Sequence, residues 1–272
     1  MGFDRRSFLS GAGALVGCAG TGLAAETTGG LPAPRSRLDW DGLVHAAVDS
    51  RFTCVRTPES ADGPFYYESS PERRLIAEGH SGLRLRLGIT VTGFSIAQHC
   101  PALSEAIVDI WHTDASGLYS NVGADLQVVD TSGQKFCRGH QITDRNGYVE
   151  FETILPGWEL VPLPVPPYVF RRTTHIHVKV FKDHSVATTQ LYFPDPFLDS
   201  VYADTEPYRS HGMLTAPGLD HPYPRIHNVD DVVFKADQSQ PMTVEHQGGL
   251  LVAKALIGIQ AGATPGVSSL WR

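Results

Sequence analysis

From Leu83 to Val91 every second residue is apolar, with Leu83, Leu85, Leu87, Ile89 and Val91 separated by Arg84, Arg86, Gly88 and Thr90. A repeat of two belongs to extended chain with one buried face, so this segment predicts a strand and excludes a helix. Further strands are expected over 106–112, 134–143, 148–154, 175–181, 188–193 and 250–259. Turns are expected at Ser132-Gly133 and at Asn146-Gly147, where Asp144 would brace the chain. Short strands broken by Gly and Pro imply an all-β, antiparallel β-sandwich with long loops rather than alternating strands and helices. A short N-terminal helix is expected over 41–51, where Leu43, Val44, Ala47 and Val48 form a stripe. The stretch 156–170 holds Pro156, Pro162, Pro164, Pro166 and Pro167 and is expected to be a stiff loop, because proline lacks a backbone donor.

Composition bounds the function classes. With 42% hydrophobic and 19% charged residues, the 272-residue chain can bury a sizeable core, and one principal domain is expected over 38–272. A formal charge of −7 argues against nucleic-acid binding, which depends on neutralising phosphates with Lys and Arg.

Residues 1–25 read as a twin-arginine export segment, since Asp4-Arg5-Arg6-Ser7-Phe8-Leu9 precedes a small, apolar run, and residues 26–37 read as a flexible tether. Within the export segment Leu15-Val16-Gly17-Cys18 resembles a lipobox, which would attach the chain to a membrane through lipidated Cys18. The other reading is cleavage near Ala24 or Ala25. Of the remaining cysteines, Cys54, Cys100 and Cys137, the first choice for a disulfide is Cys54 with Cys100, and the absence of C-x-x-C spacing speaks against a cysteine zinc site.

The chemistry concentrates at His175-Ile176-His177. In a strand Ile176, Val178 and Val180 would face the core while both imidazoles leave the opposite face, about 7 Å apart at Cα and able to share one ion. An H-x-H pair alone is more often two ordinary strand histidines than a metal site. Arg172, three residues earlier, would set a fixed cation beside them.

At this point the chain resembles the intradiol ring-cleavage dioxygenases, the family of catechol 1,2- and protocatechuate 3,4-dioxygenases, and looks closest to exported single-domain members. The ordered series is Cys54-Val55-Arg56-Thr57-Pro58-Glu59, Gly63-Pro64-Phe65-Tyr66, Val108-Asp109-Ile110-Trp111-His112, Gly117-Leu118-Tyr119-Ser120, Arg138-Gly139-His140-Gln141, Gly147-Tyr148-Val149-Glu150-Phe151, Pro156-Gly157-Trp158, and Arg172 with the histidine pair. The resemblance implies a transthyretin-like or immunoglobulin-like sandwich holding Fe(III) through two tyrosinates and two histidines. Tyr119, His175 and His177 match three ligands, and Arg172 matches the arginine that steadies the activated substrate. Implied partners are a catechol-type substrate and dioxygen. The implied product is a cis,cis-muconate-type diacid, and no organic cofactor is required. Phenolate, a hard anionic donor, suits Fe(III).

The second tyrosine departs from the family pattern, because Pro156-Gly157-Trp158 is followed by Glu159 and a longer loop. Tyr168, four residues before Arg172, is the first choice to complete the site and to act as the displaceable base, with Glu159 as the alternative carboxylate ligand. The bland reading of Tyr168 is a loop aromatic packed on Pro166 and Pro167. Trp111 is expected in the core, Tyr148 and Tyr192 as strand aromatics, and His112 and His140 in hydrogen-bonded or surface roles. The apolar loop 160–170 points to a substituted catechol without a charged carboxylate. A competing function is a non-enzymatic exported surface or metal-binding module on the same fold, favoured by the lost tyrosine position.

Overall fold

The computed structural model describes residues 56–94, 100–127, 129–159, 172–210 and 225–260, and the backbone alone at 163–165, 168–170 and 211. Its strands are β1 (Arg84–Gly93), β2 (Ile107–Trp111), β3 (Arg138–Ile142), β4 (Tyr148–Ile154), β5 (Leu163–Val165), β6 (Tyr168–Phe170), β7 (His175–Lys182), β8 (Ser185–Tyr192), β9 (Thr243–Gln247) and β10 (Leu250–Ile259). Two four-stranded sheets, ordered β4-β1-β10-β9 and β3-β2-β7-β8, form a β-sandwich, and β5 and β6 pair as a separate ribbon.

The alternation in β1 does what its period predicts. Leu85, Leu87, Ile89 and Val91 are fully buried and join Val108, Ile110, Ile176, Val178 and Val180 of the other sheet in one core. Burial of each such side chain contributes about 1.5–3 kcal/mol. The second sheet is buried on its other face as well, where Trp111, Tyr119, Phe65 and Val122 make a smaller apolar cluster. That face carries the histidines.

Several expectations need correction. The first sheet is mixed, because β1 and β10 run parallel from Leu85↔Leu251 to Gly93↔Ile259, and hydrophobic period carries no information on strand direction. Strand β3 starts at Arg138 rather than 134, after Cys137 at φ +54°. Strand β9 is polar and largely exposed, so no alternation announced it; it pairs with β10 across Gly248-Gly249, both at positive φ. The proline-rich stretch is not all loop, since Pro164 lies within β5 and pairs with Val169, which a two-stranded ribbon tolerates because both of its strands are edges. Helices α1 (Asp195–Asp204), α2 (Tyr208–His211) and α3 (Val232–Ala236) were not anticipated.

The turn expected at Asn146-Gly147 forms, with Asp144 Oδ1 accepting from the N–H groups of Asn146 and Tyr148. Cys100 is disulfide-bonded and Cys137 is a buried free thiol. The expected partner Cys54, the helix over 41–51, the export segment, the tether and Cys18 lie outside the described residues. Among the described residues no helix is long and apolar enough to cross a membrane.

Candidate metal centre

Strand β7 delivers the two histidines as the spacing requires. Ile176 and Val178 enter the core, while His175 and His177 leave the opposite face and are both buried. His175 Nδ1 lies 2.7 Å from the Thr173 carbonyl, which assigns the proton to Nδ1 and leaves a lone pair on Nε2. That Nε2 stands 2.9 Å from Nε2 of His177. Trp111, the cross-strand partner of His177 on β2, stacks flat on its imidazole, with centroids 4.6 Å apart and planes 3° from parallel. Trp111 is thus buried as expected, and it also forms the wall that orients a site residue.

Tyr119 arrives on the loop after β2. Asp114 Oδ1 accepts from the N–H groups of Ser116 and Leu118, turning the chain. The Tyr119 backbone is then clasped by Gln127, whose Oε1 accepts from its N–H at 3.0 Å and whose Nε2 donates to its carbonyl at 2.8 Å. Buried Arg138, the first residue of β3, donates to the next carbonyl, that of Ser120. So held, the Tyr119 hydroxyl reaches 3.5 Å from His175 Nε2.

Glu159 comes in from the other side on the segment after β4. Gly157 N–H donates to the Asp114 carbonyl at 2.9 Å, and the Thr113 hydroxyl donates to the Gly157 carbonyl at 2.7 Å. This clasp joins the Tyr119 loop to the Glu159 segment, and Tyr119 Oη donates to Glu159 Oε1 at 3.2 Å. A Cβ on Gly157 would stand 2.3 Å from the Ala115 carbonyl oxygen, a clash with backbone. Gly157→Ala is therefore expected to cost about 1–3 kcal/mol by overpacking. Urea unfolding should shift to a lower midpoint, and an unchanged midpoint would mean that the clasp is not tight.

Arg172 sits beside this group, with Nε donating to Asp231 Oδ2 at 2.8 Å and Nη2 to Gln190 Oε1 at 2.5 Å and to Tyr192 Oη at 3.3 Å. Asp231 is fully buried; Oδ2 also accepts from Thr173 N–H, and Oδ1 caps α3 through the N–H groups of Val233 and Phe234. Burial alone would lower the Arg172 pKa, but the Asp231 carboxylate outweighs it and keeps the guanidinium charged.

Burial dominates the electrostatics of the remaining groups. It lowers His175 to about 3, with Arg172 adding to the effect, and lowers His177 as well. It raises Glu159 to about 7 and holds the Tyr119 phenol well above its ordinary value, with Glu159 adding to the latter. Two neutral imidazoles, a phenol and a carboxylate in a water-poor site form a hard nitrogen–oxygen donor set that a cation would organise. Among the described residues Glu159 Oε2 is buried without a hydrogen-bond partner, a costly state for a carboxylate oxygen; His177 Nδ1, the ring nitrogen turned away from His175, is likewise unpartnered. Among the described residues no three His, Cys, Asp or Glu side chains are grouped to hold a metal.

His112 bridges the Thr113 carbonyl and the Thr153 hydroxyl in the core, and burial depresses it to about 4. A depressed histidine contributes stability above about pH 6.5 that is lost as pH falls toward 4, here about 3 kcal/mol in order of magnitude. Asp109, raised by burial to about 6, acts in the opposite sense over part of that window. Urea midpoints at pH 7 and pH 4.5 should therefore converge in His112→Gln relative to the parent. An equal acid loss in both proteins would remove His112 from the account.

The fold and these distances invite comparison with known proteins. The family profile described as Dioxygenase matches residues 61–206, more than half of the chain and all of the site except Asp231. The chain belongs to the intradiol dioxygenase family. Among its curated relatives in the family, chlorocatechol 1,2-dioxygenase of Rhodococcus opacus is 29% identical over 160 residues, 53% of this chain and 59% of that protein. Catechol 1,2-dioxygenase of Acinetobacter baylyi is 26% identical over 234 residues, 77% of this chain and 69% of that protein. Against the first of these the chain spans less than two thirds of the relative's length. An intradiol ring-cleavage dioxygenase from Tetranychus urticae shares the fold, with a TM-score of 0.62 at 24% identity, over 78% of this chain and 98% of that one.

Of the residues singled out from sequence, Tyr119, His175, His177, Arg172 and Glu159 come together, while the side chain of Tyr168 lies outside the described residues, as do those of the apolar loop 160–170. Gln190 and Tyr192 were missed. Both were within reach, because β8 pairs them with His177 and His175, and residues directly opposite share a face. Asp231 carries no local signal, being 59 residues from Arg172.

Proposed function

We propose that this chain cleaves a catechol-type aromatic ring between its two hydroxylated carbons with dioxygen, at a ferric ion held by Tyr119, His175 and His177. The observation that carries the reading is the meeting of Tyr119 Oη with His175 Nε2 at 3.5 Å and of the two imidazole nitrogens at 2.9 Å. The carbon–carbon bond between the hydroxyls breaks, each oxygen atom enters one new carboxyl group, and a cis,cis-muconate-type diacid results without an external reductant. When bound, ferric iron would supply a Lewis acid that draws electron density from the substrate's oxygens.

The chain's own residues do the rest. Burial disfavours an isolated Tyr119 phenolate, so the phenol gives up its proton only where a cation compensates. Arg172, oriented by Asp231, Gln190 and Tyr192, offers a fixed positive charge where negative charge builds on the ring. Phe65 and Trp111 flank Tyr119 and His177 and exclude water. The reading includes export by the twin-arginine route, followed either by membrane attachment through lipidated Cys18 or by cleavage near Ala24 or Ala25, and a substituted catechol accommodated by the apolar segment 160–170.

Oxygen uptake by iron-loaded protein across a panel of catechols tests the reading, and uptake is expected with catechol or an apolar substituted catechol. No uptake with any member would contradict it. A profile favouring protocatechuate would contradict the substrate class alone.

A further inference from the structure

We infer that Glu159, and not a second tyrosine, is the fourth protein ligand, so that the bound iron carries a single phenolate. The inference rests on the iron site just proposed and alters its donor set.

Three observations carry it. Glu159 is placed by the framework, two residues beyond Gly157, whose backbone is hydrogen-bonded to the Asp114 and Thr113 segment that leads to Tyr119. Its carboxylate touches one of the proposed ligands, with Oε1 accepting from Tyr119 Oη at 3.2 Å. Its other oxygen, Oε2, is out of contact with solvent and has no hydrogen-bond partner among the described residues, while nearby Arg172, Thr173 and His175 Nδ1 are paired. A buried carboxylate oxygen without a donor is costly and needs a cation or a hydrogen-bond donor to occupy it.

Tyr168 stands differently in the backbone. It is the first residue of β6 and pairs with Val165, the last residue of β5. Phe170, at the other end of β6, pairs with Leu163 and is two residues closer to Arg172 along the chain. Among the described residues β5 and β6 form a two-stranded sheet apart from the two main sheets. Carboxylate, like phenolate, is a hard anionic donor, and exchanging one for the other preserves the charge offered to a trivalent ion.

The test is the visible spectrum and iron content of ferric protein, read without substrate. Tyr168→Phe should keep both the phenolate-to-iron band and the iron. Tyr119→Phe should lose the band. Removing an outer-shell partner already costs about 10–100-fold in metal affinity, so Glu159→Gln should weaken iron binding by about 100-fold while any iron retained still shows the band. Glu159→Tyr should intensify it. A weakened or shifted band in Tyr168→Phe, a band retained in Tyr119→Phe, or parental iron affinity in Glu159→Gln would overturn the inference while leaving the iron site standing. Failure of the parent protein to bind iron would instead overturn the reading on which it rests.

Discussion

Asp231→Ala is expected to lower stability by about 3–5 kcal/mol, because it strands a buried guanidinium whose charge has nowhere to go. The side chain is fully buried and serves three elements at once: Arg172, the Thr173 N–H that precedes β7, and the first N–H groups of α3. For a domain of this size the loss corresponds to a fall in melting temperature of roughly 10 °C. Asp231→Asn should lose less, since its side-chain oxygen can still cap α3. A thermal melt of both variants checks the ranking, and a change under about 1 kcal/mol in Asp231→Ala would show that Arg172 finds another partner.

Arg172→Lys is expected to reduce the rate of oxygen uptake by about 10²–10³-fold, the usual cost of removing an oriented charge from a site of developing negative charge. Lysine keeps the charge but not the fork. It cannot serve Asp231, Gln190 and Tyr192 together from a planar group, so the charge is no longer aimed. Iron content and the visible band should be unchanged, because Arg172 is not a ligand in this account. A rate within a few-fold of the parent would remove Arg172 from the chemistry.

The fold was legible wherever one face of a strand is buried and the other is not. Leu85 to Val91 and Ile176 to Val180 announced their strands through alternation, and the same alternation put His175 and His177 on a common face. It could not announce β9, whose residues Thr243–Gln247 bury too little to alternate, nor the parallel sense of β10 against β1.

The site was legible in part for the same reason. Tyr119, His175 and His177 follow from an ordered series of motifs, and their meeting follows from a strand and a clasped loop. The anchoring of Arg172 by Asp231 joins residues 59 apart in the chain through a helix cap, which no local pattern encodes. The proposed preference for Glu159 over Tyr168 likewise rests on tertiary packing rather than on local sequence. Gly157 has no side chain to intrude on Ala115, and that close approach carries the residues after it toward Tyr119.

The most direct test of the central claim is product analysis of the iron-loaded protein under isotopically labelled dioxygen with a catechol. The account predicts a ring-opened diacid carrying one labelled oxygen in each new carboxyl group. An aldehyde-containing product, which arises when the ring opens beside rather than between the hydroxylated carbons, or the absence of any labelled product, would contradict it.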